Sequence, residues 1–264
     1  MKNCLFHLLL IISGLAFAQE PLTISRPLDS LPITAQRFIG RDQFANFYFV
    51  SDNVFTKYNG QRTLDYKNLK KGNLTHVDLH NPLLMLLFYK DFNSVILLDD
   101  QLNEVRQINF DENPEFPVQV HAAGIASQNR IWIYDSLKQQ IMLFDYNQNS
   151  FRTLTPSFTG NIRHYESDFN EFRWIDDNLN MYSCDIYGKV STLGKVPVFT
   201  KCVIVSPSQI IYELDGKLYL YSTVGLKSTL IKIDEKSFKS FYYKDQILSI
   251  FTKQGITNYK ISLP

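Results

Sequence analysis

The residues best suited to proton transfer are a histidine and a glutamate two positions apart, His164 and Glu166. An imidazole beside a carboxylate can act as a general base when a nucleophile and an orienting group are also present. The adjacent sequence provides no such nucleophile. The motifs G-x-S-x-G, H-E-x-x-H and C-x-x-C and the phosphate-binding loop do not occur in the chain. The pair therefore indicates binding more than catalysis.

Two further groups of residues could bind a metal ion. His76 and His80 have a ligand spacing that suits a helix, but on a strand they would lie about 13 Å apart, at 3.3 Å per residue. Six aspartates also fall in or beside the polar turns of the chain, and they are Asp52, Asp91, Asp135, Asp176, Asp177 and Asp215. On one face of a fold these carboxylates could hold a hard cation such as calcium. Because aspartate is a common turn residue, we expect no cofactor and keep calcium as the alternative.

Aromatic and polar residues also occur in the long segments between the apolar runs. These segments are NLKKGNLT, DENPEFPVQ and PSFTGNIRHYESD. Together with the strand that follows the second of them, they supply the predicted binding residues, which are Phe116, His121, Phe158, His164, Tyr165 and Glu166. Aromatic residues on exposed loops are typical of recognition surfaces. In the alternative interpretation, Phe116 and Phe158 fill gaps between neighbouring sheets.

The elements that must position these residues repeat along the chain. Residues 208–223, SQIIYELDGKLYLYST, contain two short apolar runs joined by Asp215-Gly216. Similar stretches have their turns centred near Asp52, Phe92, Leu137, Asp177, Asp215 and Gln254, with spacings of 40, 45, 40, 38 and 39 residues. This period is typical of repeat arrays and propellers. The runs are short and rich in aromatic and β-branched residues, which predicts β-hairpins.

Each hairpin is flanked by two more strand candidates, for example QRFIG before the first and RTLDY after it. Six units of four antiparallel strands resemble the six-bladed β-propellers of many secreted bacterial proteins. The resemblance is one of architecture. It implies an all-β fold in which residues 19–264 form a single domain, with a β-sandwich as the alternative. The sixth unit has no fourth strand candidate, so we expect the N-terminal strand, residues 21–28, to complete it and close the ring.

Residues 1–18 have the layout of a secretory signal peptide. Lys2 precedes an apolar run from Cys4 to about Leu15, and the segment ends in Ala16-Phe17-Ala18, an A-x-A cleavage pattern. The run is too short for a membrane span, and no later stretch reaches the roughly 18 apolar residues of a transmembrane helix. We therefore expect cleavage near Ala18, no transmembrane segment, and a periplasmic or secreted protein.

Two cysteines, Cys184 and Cys202, follow the predicted signal peptide. An even number of cysteines in an oxidising compartment favours a disulfide. The repeat places them on neighbouring blades, which pack about 10 Å apart, whereas a disulfide needs Cα atoms within roughly 7 Å. The geometry therefore favours two buried or half-buried thiols.

The charge balance restricts the partners. Without residues 1–18 the chain has 26 basic and 26 acidic residues, so it lacks the field that attracts nucleic acid or an anionic membrane. We expect a non-catalytic, extracytoplasmic protein-binding or scaffolding module, a component of a cell-envelope complex with an envelope or extracellular protein as partner. The alternative is a metal-dependent propeller enzyme or ligand binder, such as a lactonase, lyase or glycan-acting protein. For that alternative the innermost strands offer only Asp78, His80 and His121.

Overall fold

The computed structural model describes residues 22–23, 27–112, 116–235 and 237–263. The predicted signal peptide lies outside these residues. The described chain forms six β-sheets and two short 3₁₀ turns, Lys90–Phe92 and Phe110–Glu112. Each sheet contains one four-stranded antiparallel blade of a β-propeller, and one sheet has a fifth, parallel edge strand, so the all-β, six-bladed prediction is confirmed. No helix in the described part of the chain has the length and hydropathy needed to cross a bilayer.

Strands are numbered in chain order, and blades one to six begin at β3, β7, β11, β15, β19 and β23. The first, innermost strands are β3 (Arg37–Arg41), β7 (His76–Asp78), β11 (Val120–Ala126), β15 (Ile162–Ser167), β19 (Lys201–Ser206) and β23 (Ser240–Lys244). The second strands are β4 (Phe47–Ser51), β8 (Leu84–Tyr89), β12 (Arg130–Asp135), β16 (Glu171–Asp176), β20 (Gln209–Leu214) and β24 (Ile247–Phe251). The third strands are β5 (Val54–Tyr58), β9 (Ser94–Asp99), β13 (Gln140–Asp145), β17 (Asn180–Asp185), β21 (Lys217–Ser222) and β25 (Ile256–Lys260). The outermost strands are β6 (Thr63–Tyr66), β10 (Glu104–Asn109), β14 (Ser150–Thr153), β18 (Val190–Lys195) and β22 (Lys227–Lys232), with β2 (Pro27–Leu31) in blade six.

The six predicted turn centres all lie in the turns between second and third strands. In blade one this turn is Asp52-Asn53, and both residues have positive φ. In blade five it is Asp215-Gly216, again with positive φ at both positions. Asn, Asp and Gly adopt this left-handed conformation at low cost. The turn chemistry therefore explains why the repeat was visible in the sequence.

Neighbouring blades pack face to face through six apolar clusters, one at each interface of the ring. At the interface between blades six and one, Phe38 and Phe47 pack with Phe251 and Ile256. Burying apolar side chains is worth about 1.5–3 kcal/mol for each large side chain. Every blade thus depends on both of its neighbours for stability.

The N-terminal residues extend the last two blades. β2 pairs antiparallel with β25, and Leu31 lies opposite Ile256. The predicted strand, residues 21–28, is therefore displaced: the strand of blade six begins at Pro27, whereas β1 (Leu22–Thr23) pairs parallel with β22 of blade five. The reason is burial, because Leu31 packs with the apolar cluster between blades six and one, while Pro27 to Ser30 are exposed.

A glycine allows the close approach of β2 to blade six. Gly255 has φ +138°, and a Cβ at this position would lie 2.1 Å from the carbonyl oxygen of Leu31. Gly60, in a turn of blade one, has φ +94° but open space around it. Both positions are strained for other residues, but only Gly255 also lacks room for a side chain.

Substitution of these two glycines tests the packing of the N-terminal strand. We expect Gly60→Ala to show backbone strain alone and Gly255→Ala to lose about 1–3 kcal/mol more, because the added methyl group overlaps the Leu31 carbonyl. For a domain of this size the difference corresponds to roughly 2–10 °C in Tm. Thermal unfolding followed by circular dichroism measures it. Equal losses for the two variants would contradict the close contact.

Candidate functional site

The predicted residues His164, Tyr165 and Glu166 lie on β15, the innermost strand of blade four. This segment is predicted both as part of the preceding connector and as a weak strand candidate, RHYES, and the strand prediction is confirmed. The connector ends at Asn161, because Ile162 pairs with Asp176 and starts the ladder to β16. The three side chains therefore belong to the centre of the ring and not to an exposed loop.

The two predicted connector phenylalanines are engaged in packing. Phe116 stacks on Phe151 with ring centroids 5.0 Å apart. Phe158 stacks between Tyr134 of blade three, at 5.6 Å, and Trp174 of blade four, at 5.4 Å. Both phenylalanines are half-buried. They fill gaps in the core, which was the alternative interpretation, and they do not form an exposed aromatic surface.

The sixth predicted residue, His121, lies on β11, at the start of blade three. Its Nε2 lies 3.2 Å from Lys90 Nζ of blade two. Burial lowers the pKa of His121, and the Lys90 ammonium group lowers it further. The neutral ring accepts a hydrogen bond from the lysine, so this contact joins two blades.

Side chains from blades two and four meet over blade three. The innermost strand of blade three contains four small residues within HAAGIA, 121–126. Asp78 Oδ2 accepts a hydrogen bond from the backbone N–H of Ile125 at 2.8 Å and one from Ser167 Oγ at 3.3 Å. A Cβ at Gly124 would lie 1.9 Å from Ser167 Oγ and 3.1 Å from Asp78 Oδ2. Glycine at this position therefore makes the contact between blades two and four possible.

A second carboxylate makes the same kind of contact between blades four and five. Glu166 Oε1 accepts a hydrogen bond from His164 Nε2 at 3.1 Å and one from the backbone N–H of Ile204, in blade five, at 2.8 Å. The Cys202 side chain interacts electrostatically with the imidazole. Burial alone would lower the pKa of His164, but Cys202 and Glu166 outweigh it and raise the pKa. The imidazolium form is thus stabilised between two blades.

The contact of Cys202 with His164 was missed by the sequence analysis. Its signal was the repeat itself, because the two residues are 38 positions apart and lie on β15 and β19, the innermost strands of neighbouring blades. Thiol, imidazole and carboxylate together can support nucleophilic chemistry, but Cys202 is only 7% exposed.

Both cysteines are free and buried, so the prediction of two thiols is confirmed. Burial raises the pKa of Cys184 to about 12.

His76 of blade two contrasts with His164. Its ring lies 4.9 Å from the ring of Tyr165. Burial lowers the pKa of His76 to about 4, against the opposing effect of the nearby Asp78 carboxylate. The surroundings of the two histidines thus favour the neutral form of His76 and the protonated form of His164.

The turn aspartates accept hydrogen bonds from backbone and side-chain groups of the protein itself. Asp135 Oδ1 accepts hydrogen bonds from the backbone N–H groups of Gln119 and Leu137, at 3.1 and 3.0 Å. Asp176 accepts bonds from the backbone and side chain of Asn180, at 2.8 and 3.0 Å. In the described ranges, no group of three or more His, Cys, Asp and Glu side chains has a geometry that could hold a metal ion. These aspartates act as turn residues.

The end of the ring opposite the connectors has a different surface, which we call the inner-turn face. It bears the turns between first and second strands, residues 42–46, 79–83, 127–129, 168–170, 207–208 and 245–246. Phe44 and Leu83 in these turns are 61% and 64% exposed, and Phe169 is 37% exposed and lies 4.7 Å from the ring of His80. Large apolar residues therefore surround this mouth of the channel.

A cleft of about 270 Å³ opens beside these residues, between blades one and six. Arg41 and Lys244 line it, and Lys244 Nζ also donates a hydrogen bond to the carbonyl of Leu79 at 3.3 Å. The sequence did not predict this face as a binding surface. Its signal was a single large apolar residue within an otherwise polar turn, as at Phe44 in DQFAN.

The two central histidines predict opposite pH dependences. Between pH 6.5 and about 4 the unfolded chain binds a proton at His76 that the folded chain does not, so stability should fall as the pH falls through this interval. The raised pKa of His164 stabilises the folded state below pH 6.5, and this contribution should be lost as the pH rises above 6.5. Each effect is at most about 1.4 kcal/mol per pH unit.

Urea unfolding from pH 4 to 9 measures both effects. We expect His76→Phe to reduce the loss on the acid side and His164→Gln to reduce the loss on the alkaline side. His80→Gln is the matched control, because His80 contacts Phe169 at the channel mouth. Stability curves that stay parallel for all four proteins would refute the assignment.

No protein-family model and no curated protein matches this sequence. Solved structures are similar in fold. Virginiamycin B lyase from Staphylococcus aureus has a TM-score of 0.57 and 8% identity, over 88% of this chain and 83% of that chain. BBS1N, solved in complex with ARL6DN, has a TM-score of 0.55 and 10% identity, over 86% and 78%. The extracellular domain of the putative one-component system BT4673 from B. thetaiotaomicron has a TM-score of 0.54 and 8% identity, over 92% of this chain and 36% of that chain. These similarities show a shared β-propeller fold, found both in a lyase and in proteins that bind protein partners.

Proposed function

We propose that this protein is a non-catalytic protein-binding or scaffolding module that holds its partner on the inner-turn face. The observation that carries the proposal is the set of exposed apolar side chains, Phe44, Leu83 and Phe169, around one mouth of the channel. Exposed apolar residues that form a patch rimmed by polar groups are typical of protein-interaction surfaces. A few such anchors supply most of the affinity of an interface.

The arrangement of the ring supports this choice of face. The aromatic residues of the connectors, Phe116 and Phe158, are used in packing between blades. The titratable residues of the channel are used in contacts between blades, as in the bond from Ile204 to Glu166. The connector face also exposes large apolar residues, Leu69 at 84% and Leu137 at 67%. The choice of the inner-turn face therefore rests on the charged cleft that opens beside Phe44.

A metal-dependent enzyme or ligand binder is the alternative function, and the similarity to virginiamycin B lyase is its support in fold. At 8% identity this similarity carries no active-site residue over to the present chain. Within the described residues, the polar group with the most chemical potential contains Cys202, which is 7% exposed. The Cys202 thiol is therefore poorly accessible to a substrate.

Photo-crosslinking tests the proposed face. A benzophenone amino acid at position 44 or 83, in cells that naturally produce the protein, should capture the same partner. The matched control is position 69 on the connector face, because Leu69 is 84% exposed but distant from the inner turns. Capture from position 69 alone would overturn the choice of face.

Substitution of the apolar anchors tests their energetic role. We expect Phe44→Ser together with Leu83→Ser to weaken binding of the captured partner by about tenfold or more, since each lost anchor costs about 1–2 kcal/mol. Val224→Ser with Leu226→Ser is the control, because these exposed residues lie in an outer turn of blade five. Binding assays with purified partner measure the change. If the wild type and the first variant bind the partner with equal affinity, Phe44 and Leu83 are not anchors of the interface.

We also propose that the module works outside the cytoplasm, as part of a cell-envelope complex. The support is the pattern of residues 1–18, from Lys2 to Ala18. The fold also occurs in an extracellular domain.

Intact-mass analysis of the protein from its native cells tests this location. We expect a mature chain that begins at Gln19, and we expect Ala18→Asp to abolish cleavage because the cleavage pattern requires a small residue there. Ser13→Ala within the apolar run is the control. A mature protein that retains residues 1–18 would contradict the proposal.

A further inference from the structure

The cleft on the inner-turn face is lined by both positive and negative groups. Arg41, Lys244 and Asp245 line it together with Asp42. The hydroxyl-bearing residues Tyr242 and Ser249 and the amide-bearing Gln43 add polar groups to its walls. A volume of about 270 Å³ accommodates a single side chain or a chain terminus more readily than a drug-sized molecule, for which sites of roughly 300–1,000 Å³ are usual.

One of the two carboxylates in the cleft already accepts its hydrogen bonds from other groups of the protein. Asp42 is buried, and its Oδ1 accepts hydrogen bonds from the backbone N–H groups of Phe44 and Asn46, both at 2.9 Å. Its Oδ2 accepts bonds from Asn46 Nδ2 at 2.7 Å and Tyr48 Oη at 2.8 Å. These four donors compensate the negative charge of Asp42. Two cations, Arg41 and Lys244, then face one remaining carboxylate, Asp245.

The guanidinium of Arg41 has unused hydrogen-bonding capacity. Its Nε is buried and lacks a hydrogen-bond partner among the described residues. Its guanidinium carbon lies 5.8 Å from the ring centroid of Phe47, which holds the group against the wall of blade one. A buried donor without a partner is costly, and a planar guanidinium is well suited to bind a carboxylate through two parallel hydrogen bonds.

We infer that this cleft binds a carboxylate group of the protein partner, an acidic side chain or the C-terminal carboxylate, through Arg41 and Lys244. The inference rests on the proposed function, because it assigns a ligand chemistry to the same face. The carboxylate fills the unused capacity of Arg41 and matches the net positive charge left in the cleft. Asp245 opposes a dianion, which favours a singly charged carboxylate over a phosphate. Phe44 lies in the adjoining turn and contacts the apolar part of the same ligand.

The probe is N-acetyl-phenylalanine, which combines one carboxylate with an aromatic ring, and the matched control ligand is N-acetyl-phenylalanine amide. Both are titrated into ¹⁵N-labelled mature protein, and the shifts of the Arg41 Nε–Hε signal and of the backbone amides of residues 40–46 and 242–249 are followed. We expect the acid to shift these signals and to bind at least tenfold more tightly than the amide. Because this comparison uses the unaltered protein, it does not depend on the folding of a variant.

Variants then locate the site. Arg41→Gln and Lys244→Met should each weaken binding of the acid about tenfold, whereas Lys217→Met, an exposed lysine on β21, should leave it unchanged. Equal binding of acid and amide, or no shift with either, would overturn the inference while leaving the crosslinking result for positions 44 and 83 intact. Conversely, if the acid binds but substitution of Phe44 and Leu83 does not affect the partner, the proposed function fails and the cleft is a small-ligand site.

Discussion

Two carboxylates on innermost strands each accept a hydrogen bond from the backbone of the next blade, and the centre of the ring depends on them. Asp78 binds the N–H of Ile125, and Glu166 binds the N–H of Ile204. The innermost strand of a blade has one edge that pairs with no further strand, and its backbone groups need partners when they are buried. A side chain from the preceding blade supplies them. This exchange fixes the position of each blade relative to its neighbour more closely than apolar packing can, since apolar contacts have no direction.

These contacts at the centre of the ring require small residues on the innermost strand over which the side chains meet. Gly124 leaves space for Asp78 and Ser167 to meet, and Gly40 leaves space for the ring of Tyr242, whose atoms would lie 2.8 Å from a Cβ there. Glycine in a strand weakens the strand itself. The cost is offset because the large polar side chains of blades two, four and six then interlock inside the ring. The titratable residues of the channel consequently stabilise the fold.

The two ends differ because of the direction of the innermost strands. The connectors and the turns between second and third strands share one end, where Phe158 is drawn into the packing between blades three and four. The short inner turns share the other end. A turn of five residues, such as 42–46, uses its polar groups to close on itself through Asp42, and its remaining apolar residue, Phe44, has no neighbouring blade to cover it. An exposed apolar group next to the channel is therefore a consequence of turn geometry as well as a candidate anchor.

The sequence by itself determined the strands, the six-fold repeat and the turns. Strand formation and turn conformation depend on local residue types, as in Asp215-Gly216. These local patterns recur with a period near 40 residues, which is typical of a repeat architecture. Only the tertiary structure decided which side chains meet at the centre of the ring and which remain exposed. His164 and Cys202 are 38 residues apart and become neighbours because adjacent blades place their innermost strands side by side. Phe158 and Phe44 are similar in sequence context, each a phenylalanine in a polar loop, yet one is packed and the other exposed. That difference arises from the gap between two blades at one end of the ring, and no local property of the chain encodes it.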